Sequence, residues 1–465
     1  MYFKHFYDKD IAQGAFLVGC QATGEAAVID AHRDIQMFLD DAAANKLKIV
    51  AAFETHIHAD YLSGIREIAN ATGATVYLSD EGDADWKYHY EGVKIYDGSE
   101  IKIGNITIRA VHTPGHTPEH MSYLITDGGF TSAPGYFLTG DFVFVGDIGR
   151  PDLLDEAAGA HDTRFLGSKL MFESLKKNFL NLPDYIQVWP GHGAGSACGK
   201  SLGAIASTTI GYERNFSWWG RMVEQGAYQD FENFLLSEQP DAPLYFARMK
   251  RMNKAGAPIL GPLKALRHFS SAEIAAKVGK EILFIDSRPM DIFRREGVEN
   301  AYNIPWNSKF LTYASWVIDP EVDKRGIVLF AASAQEADQM RRMLIRVGID
   351  QTIGFVTEVD GLKKAQVKLV GPETLNDMKD AYILDIRALT EYNDGHIPGA
   401  HQLHGGRVMW NLDKLPKDRP LVTHCKAGPR NTVVSSALRS AGFDNVIELN
   451  GGYDAWAEAH AVAHT

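Results

Sequence analysis

Short apolar runs alternate with turn-forming stretches through the first half of the chain. The run "KIVAAF" (residues 48–53) gives way to the polar, histidine-rich "ETHIHADYLSG" (54–64) and then to "ATVYLSD". An apolar run bounded by turn signals predicts a buried strand, so this stretch reads as strand, loop, a helix from about Tyr61, and strand. "ITIRAVH" and "MSYLIT" predict strands on either side of "TPGHTPEH" (113–120). "GYFLTGD" and "DYIQVWPGHG" each predict an apolar strand with a polar end. In every case the chemistry-bearing residue follows the strand, which is where α/β layers place their sites.

The pattern dissolves at "DAPLYFARMKRMNKAGAPILGPL" (241–263), which is read as a linker. Beyond it the chain repeats itself. "EILFIDSRPMDIFRREGVENAYNIPW" resembles "DAYILDIRALTEYNDGHIPGAHQLH", and "RGIVLFAASAQEADQMRRMLIRVGI" parallels "RPLVTHCKAGPRNTVVSSALRSAGF". Each copy is an apolar strand ending in Asp-x-Arg, a helix-like stretch, and a turn into a short strand. A repeat of this length is a duplicated domain. The expected organisation is three α/β domains, at 1–250, 264–365 and 370–465.

A chain of 465 residues is too long for one core. It is 45% hydrophobic and 23% charged, as ordinary globular proteins are. The net charge of −12 gives no electrostatic case for nucleic acid or an anionic membrane. No stretch approaches a membrane span, and the first twenty residues lack a basic head before a long apolar run. Three scattered cysteines, Cys20, Cys198 and Cys425, do not make a disulfide framework, so a reducing, cytoplasmic setting is expected.

The metal-type residues of the first half are His56, His58, Asp60, His116, Asp141 and His192. They fall in H-x-H-x-D, "TPGHTPEH", "LTGD" and "WPGHG", in that order. This set resembles the metallo-β-lactamase superfamily over roughly residues 1–250, which implies an αββα fold. In its dinuclear hydrolases the residues matching His56, His58, His116 and Asp141 hold one metal. Those matching Asp60, position 61, His192 and the shared Asp141 hold the other. Position 61 here is tyrosine, and a phenol with a pKa of about 10 is a poor neutral-pH zinc ligand beside imidazole. That departure counts against a glyoxalase II-like thioester hydrolase, which is the alternative reading.

The one-metal branch is the persulfide dioxygenases. The resemblance to it implies a two-histidine, one-carboxylate Fe(II) site of His56, His116 and Asp141, one iron per chain. Such a face leaves positions open for O₂ and substrate. His58, Asp60 and His192 then remain as hydrogen-bonding groups around it. The same resemblance places Arg150, in "GDIGRPDLL", beside an anionic substrate. Cys198, six residues after His192, is a candidate to accept or relay sulfur.

"VTHCKAGPRNT" is an apolar strand, Cys425, a tight loop and a helix. A cysteine there faces backbone N–H groups and a helix N-terminus, both of which stabilise a thiolate or persulfide. With "LDIR" and "GHIPGA" upstream, residues 370–465 are similar to rhodanese sulfurtransferases. Cys425 and Arg430 are the candidate catalytic pair, and Lys426 and Gly428 the candidate substrate contacts. Related phosphatases place the arginine one residue further on. In the middle repeat Ala331 aligns with Cys425, so that copy is expected to be silent.

The whole chain resembles persulfide dioxygenase–rhodanese fusions. The resemblance implies that low-molecular-weight persulfide is oxidised with O₂ to sulfite, that sulfite and sulfane sulfur are joined as thiosulfate, and that the protein is a homo-oligomer with neither nucleic acid nor membrane as partner.

Overall fold

A computed structural model describes residues 1–153 and 163–461, and these divide into two compact units, Met1–Ala242 with Phe246–Leu263, and Pro243–Tyr245 with Lys264 onward.

The first unit is built on two sheets of six strands. One runs β1 (Tyr2–Asp8), β2 (Gln13–Cys20), β3 (Glu25–Ile29), β4 (Lys48–Phe53), β5 (Thr75–Ser79) and β6 (Val93–Ile95). The other contains β7 (Glu100–Ile103), β8 (Ile106–His112), β9 (Met121–Asp127), β10 (Tyr136–Gly140), β11 (Gln187–Pro190) and β12 (Thr208–Thr209). Side chains of a strand alternate between faces. On β2, Phe16, Val18 and Cys20 turn to one side and join Ile108, Tyr123, Ile125 and Leu138 of the second sheet in a shared core. Ala15 and Leu17 turn to the other, against Phe38, Ile65 and Ile68 of two helices. Phe137 and Val188 do the same on the outer face of the second sheet, against Met171, Leu175, Trp219 and Phe231. Four layers result, helix–sheet–sheet–helix, and each sheet is covered on both faces. Full burial of one such large apolar side chain contributes about 1.5–3 kcal/mol.

Two expectations need correction. The helix expected from Tyr61 starts at Ile65. The loop before it stays irregular because side chains from elsewhere hold its amides. Thr55 N–H donates to Asp30, Ile57 N–H to Glu119 and Ser63 N–H to Asn253. The stretch read as a linker carries a helix, Tyr245–Ala255, and residues 246–263 cluster with the first unit. Asn253 on that helix also donates to the carbonyls of His58 and Tyr61. Clusters of Gly and Pro at 256–262 outweighed the helical stretch before them.

The second unit holds two sheets of five strands. The first comprises β13 (Arg267–His268), β14 (Ile282–Asp286), β15 (Tyr302–Asn303), β16 (Gly326–Phe330) and β17 (Thr352–Val356). The second comprises β18 (Lys368–Val370), β19 (Tyr382–Asp385), β20 (His401–Gln402), β21 (Leu421–His424) and β22 (Val446–Leu449). Their spatial orders, β13-β17-β16-β14-β15 and β18-β22-β21-β19-β20, are the same order of first, fifth, fourth, second and third strand. Each Asp-x-Arg closes on itself: Arg288 on Asp286 and Arg387 on Asp385, both at 2.6 Å.

Among the described residues no helix is long and apolar enough to cross a membrane.

Candidate metal centre and sulfur loop

Four strand ends deliver the polar residues of the first unit. His56, His58 and Asp60 follow β4, His116 lies between β8 and β9, Asp141 follows β10 and His192 follows β11. All are buried. β10 and β11 are parallel, with Gly140 opposite Pro190, so Asp141 and His192 emerge side by side. Gly140 sits at φ +50°, and a Cβ there would lie 2.6 Å from Thr55 Oγ1 and 2.8 Å from His120 Nε2. Only glycine lets the strand end approach the loop this closely.

Asp141 turns an oxygen each way. Oδ2 lies 3.5 Å from His116 Nε2 and 4.0 Å from His56 Nε2, and Oδ1 lies 3.5 Å from His192 Nε2. Neither oxygen has a hydrogen-bond partner, although both are buried. A buried carboxylate without partners is costly, and a cation among these nitrogens removes the cost. His56, His116 and Asp141 present ligand atoms within 4.8 Å of one another, a set that fits one metal ion.

The imidazoles are aimed by their far nitrogens. His116 Nδ1 donates to the Arg150 carbonyl at 2.8 Å, and His192 Nδ1 to the Ala12 carbonyl at 3.0 Å. Thr55 donates its hydroxyl to Asp30 Oδ2 at 2.9 Å and so receives the proton of His56 Nδ1 at 3.0 Å. The Nε2 atoms of His56 and His116 therefore turn their lone pairs inward. Burial, reinforced by neighbouring imidazoles, holds His56 well below the ordinary histidine range, and burial holds His116 below it. Both are neutral, as ligands must be.

His58 behaves differently. Its Nε2 lies 3.1 Å from Asp30 Oδ1 and 3.1 Å from Glu54 Oε2. Burial works against its charge, but the two carboxylates carry it well above the ordinary range. Burial lifts Glu54 to about 7. His58 is thus an imidazolium held between two acids, and its Nδ1 has no hydrogen-bond partner.

Tyr61 lies against it, ring centroids 4.5 Å apart. Its hydroxyl donates to the Asp30 carbonyl at 3.1 Å and accepts from Gln13 Nε2 at 3.3 Å. The phenol is fully buried, and burial with the nearby carboxylates pushes its pKa far up. It keeps its proton and cannot serve as an anionic ligand. His192, 3.4 Å from Asp60, therefore faces the open side of the site without a ligand from position 61.

Cys198 joins this open side. Its thiol hydrogen-bonds His192, and with Asp141 the three ligand atoms lie within 4.8 Å. Burial pushes the thiol up to about 11. Arg150 is buried close behind the site. It is 1% exposed, with Nε and Nη2 on the Asp152 carboxylate at 2.8 and 2.6 Å and Nη1 on the Ala197 and Pro240 carbonyls. The fork braces the loop, and the Arg150 carbonyl holds His116. A cavity of about 190 Å³ opens against His192, with His5, Tyr7 and Ile205 on its walls.

Sequence reading missed Asp30, Thr55 and His120. Asp30 holds Thr55 and His58 from a left-handed backbone (φ +57°), a strain retained at functional sites. His120 Nε2 accepts the Asp141 N–H at 3.1 Å. His120 was visible in "TPGHTPEH", four residues after a ligand. Asp30 gave no local signal.

In the last repeat Cys425 follows β21 directly and is fully buried. The Gly428 N–H donates to its Sγ at 3.1 Å. Gly428, at φ +116°, turns the loop into the helix Pro429–Ser440. Arg430 is held by Glu391 through paired bonds of 2.7 and 2.8 Å, and Lys426 is exposed. In the middle repeat Ala331 follows β16 at the equivalent place. There the amides are occupied: Ala332 N–H donates to Glu336 Oε1 at 3.0 Å and Glu336 N–H to Ser333 Oγ at 3.1 Å. A carboxylate of the protein itself sits where the cradle would open.

Comparison with known proteins finds relatives of both parts of the chain. The family description "Metallo-beta-lactamase superfamily" matches residues 15–192, and "Rhodanese-like domain" matches residues 372–459. A crystal structure of a metallo-beta-lactamase from Staphylococcus aureus is 37% identical, covers 77% of this chain and 99% of its own, and superposes with a TM-score of 0.68. The chain is a metallo-β-lactamase superfamily protein with a C-terminal rhodanese-like domain. The rhodanese-like domain is 37% identical over 87 residues to the thiosulfate sulfurtransferase GlpE of Shewanella oneidensis, 19% of this chain and 86% of that one. The metallo-β-lactamase domain is similar to two kinds of enzyme. One is a hydroxyacylglutathione hydrolase of Gloeobacter violaceus, 29% identical over 180 residues, and the other the mouse persulfide dioxygenase ETHE1, 25% identical over 185. Each match spans 38% of this chain and 62% of the relative.

Proposed function

We propose that the first unit is a persulfide dioxygenase with one Fe(II) per chain, and that the last repeat is a sulfurtransferase acting on its product. The observation that carries the reading is Tyr61. Its buried, protonated hydroxyl occupies the place of a ligand to a second metal, while His56, His116 and Asp141 fit one ion. Fe(II) held there would supply open positions at which O₂ and a persulfide meet. The similarity to a persulfide dioxygenase and to a thiosulfate sulfurtransferase supports both halves.

The overall first reaction converts a persulfide, O₂ and water into a thiol, sulfite and protons. The chain's own part is positioning. Thr55 with Asp30 aims His56, the Arg150 carbonyl aims His116, and His120 fixes Asp141. His192 presents Nε2 to the open side, beside Cys198. In the second reaction the Cys425 thiolate attacks the outer sulfur of a persulfide. The donor's S–S bond breaks, a thiolate leaves with the electron pair, and a persulfide forms on Cys425. Sulfite then attacks that outer sulfur, thiosulfate forms and Cys425 recovers its thiolate. Gly428 N–H, 3.1 Å from Sγ, stabilises the anion at each stage. All three cysteines are free thiols, which suits a reducing compartment such as the cytoplasm.

A dinuclear thioester hydrolase is the second reading. It is favoured by the grouping of Asp60, His192 and Asp141 Oδ1 and by the hydroxyacylglutathione hydrolase relative. Metal content with O₂ uptake decides between them. One iron and persulfide-dependent O₂ uptake support the dioxygenase; two metals with thioesterase activity and no O₂ uptake overturn it.

A further inference from the structure

A buried, irregular loop must find partners for its backbone polar groups outside itself. The metal loop finds several of them in Asn253, which is 4% exposed on the helix Tyr245–Ala255. Asn253 Nδ2 donates to the His58 carbonyl at 2.8 Å and to the Tyr61 carbonyl at 2.7 Å, and its Oδ1 accepts from the Ser63 N–H at 2.9 Å. One amide commits both hydrogens and its oxygen to a single loop. Between these points the Leu62 carbonyl accepts from the Arg33 N–H at 3.0 Å. The residues after Asn253 are fastened to the same surroundings. The Arg33 guanidinium donates to the Pro258 carbonyl and Arg66 Nη1 to the Ala257 carbonyl at 2.5 Å. Glu67, on the helix that the loop runs into, accepts from the N–H groups of Leu260 and Gly261 at 2.5 and 3.1 Å.

We propose that Asn253 is a positioning residue of the metal centre. It sets the backbone from His58 to Ser63, and through it the reach of Asp60 toward His192 and of the Tyr61 hydroxyl to Asp30, so that the loop keeps the shape that holds His56 beside His116 and Asp141. This rests on those three residues holding a metal and on nothing about the reaction. The chemistry of the group suits the task. A side-chain amide offers two donors and an acceptor from one planar group, whereas a carboxylate of the same shape only accepts. Asn253→Asp therefore keeps an oxygen for the Ser63 N–H but turns a second acceptor toward two buried carbonyls. Buried acceptors left without donors are costly, and the loop must shift to relieve them.

The test titrates the full chain with Co(II) at pH 7, since the visible bands of this ion report the arrangement of its ligands as well as occupancy. Asn253→Asp should raise the Co(II) dissociation constant by roughly 10–100-fold, the range seen when a group behind a ligand is lost. The bands of the Co(II)-saturated variant should also differ from those of the wild type, which a uniform loss of stability would not cause. Asn253→Gln keeps both donors on a longer stem and should recover part of the affinity. Asn253→Ala, which removes the donors without adding a charge, carries the same test if the aspartate variant does not fold. Wild-type affinity with wild-type bands in the aspartate or alanine variant, or an equal loss in Asn253→Gln, overturns the role of Asn253. The metal reading fails separately: it falls if the wild type binds no Co(II), or if His116→Ala binds it as tightly as the wild type.

Discussion

The Tyr61 hydroxyl donates to the Asp30 carbonyl across 3.1 Å, and the Asp30 carboxylate in turn holds Thr55 and His58. One tyrosine therefore ties down the residue that aims His56 and pairs with the His58 imidazolium. Its hydroxyl is committed to a buried hydrogen bond, which motivates the one-metal reading. Protein purified anaerobically should hold close to one Fe(II) per chain by elemental analysis. Tyr61→His should increase metal content without increasing O₂ uptake. Two tightly bound zinc ions in the unaltered protein would contradict the account.

The ligands and the groups around them should separate by metal retention. His116→Ala removes a neutral imidazole facing Asp141 and should leave the protein unable to keep iron through gel filtration. His58→Gln breaks only the pairing with Asp30 and Glu54 and should weaken retention by roughly 10–100-fold, as loss of groups behind a ligand does elsewhere. Equal, complete loss in both variants would make His58 a ligand.

These distinctions were only partly legible in the chain. The four loops that carry His56, His116, Asp141 and His192 each follow an apolar run, so their order and spacing expose them. Asp30, Thr55 and Asn253 act by reaching across the fold from single positions without a pattern of their own. The motif around Arg150 says nothing of what the side chain meets, and the pairing of its guanidinium with Asp152 was not legible. The duplication in the second unit was legible because both copies carry Asp-x-Arg at the end of an apolar run; the strand order was not. The contact of Arg294 with the Gly428 loop was not either, since it joins residues 134 positions apart.

The middle repeat should resist simple repair. Ala331→Cys supplies a thiol, but the Glu336 carboxylate already takes the Ala332 amide of that loop. Thiosulfate–cyanide transfer by this variant in a Cys425→Ser background should remain at the level of the Cys425→Ser protein. Transfer restored by the single change would show that the loop is a working cradle.

Glu213 offers a test of the fold apart from either site. It accepts from the Gly146 N–H at 3.0 Å through Oε2 and also hydrogen-bonds the Thr208 side chain. Burial raises its carboxyl to about 7. The folded protein thus favours the protonated form, and stability present below the ordinary pKa of 4.5 is lost as pH rises through 7. Glu213→Gln keeps an oxygen for Gly146 and carries no charge. It should match the wild type at pH 5 and exceed it at pH 8 by on the order of 2–3 kcal/mol in urea unfolding. A gain at pH 5 as large as that at pH 8 would show that the charge is not the cause.

The division of labour between the two units is measured most directly by products and O₂ uptake in one variant. Cys425→Ser removes the sulfur carrier with little change of volume and leaves His56, His116 and Asp141 untouched. Given a small-molecule persulfide and O₂, the iron-loaded variant should consume O₂ at close to the wild-type rate while its product moves from thiosulfate to sulfite. If O₂ uptake stops in a variant that still holds its iron, sulfur reaches the metal through Cys425 and the two-step account is wrong.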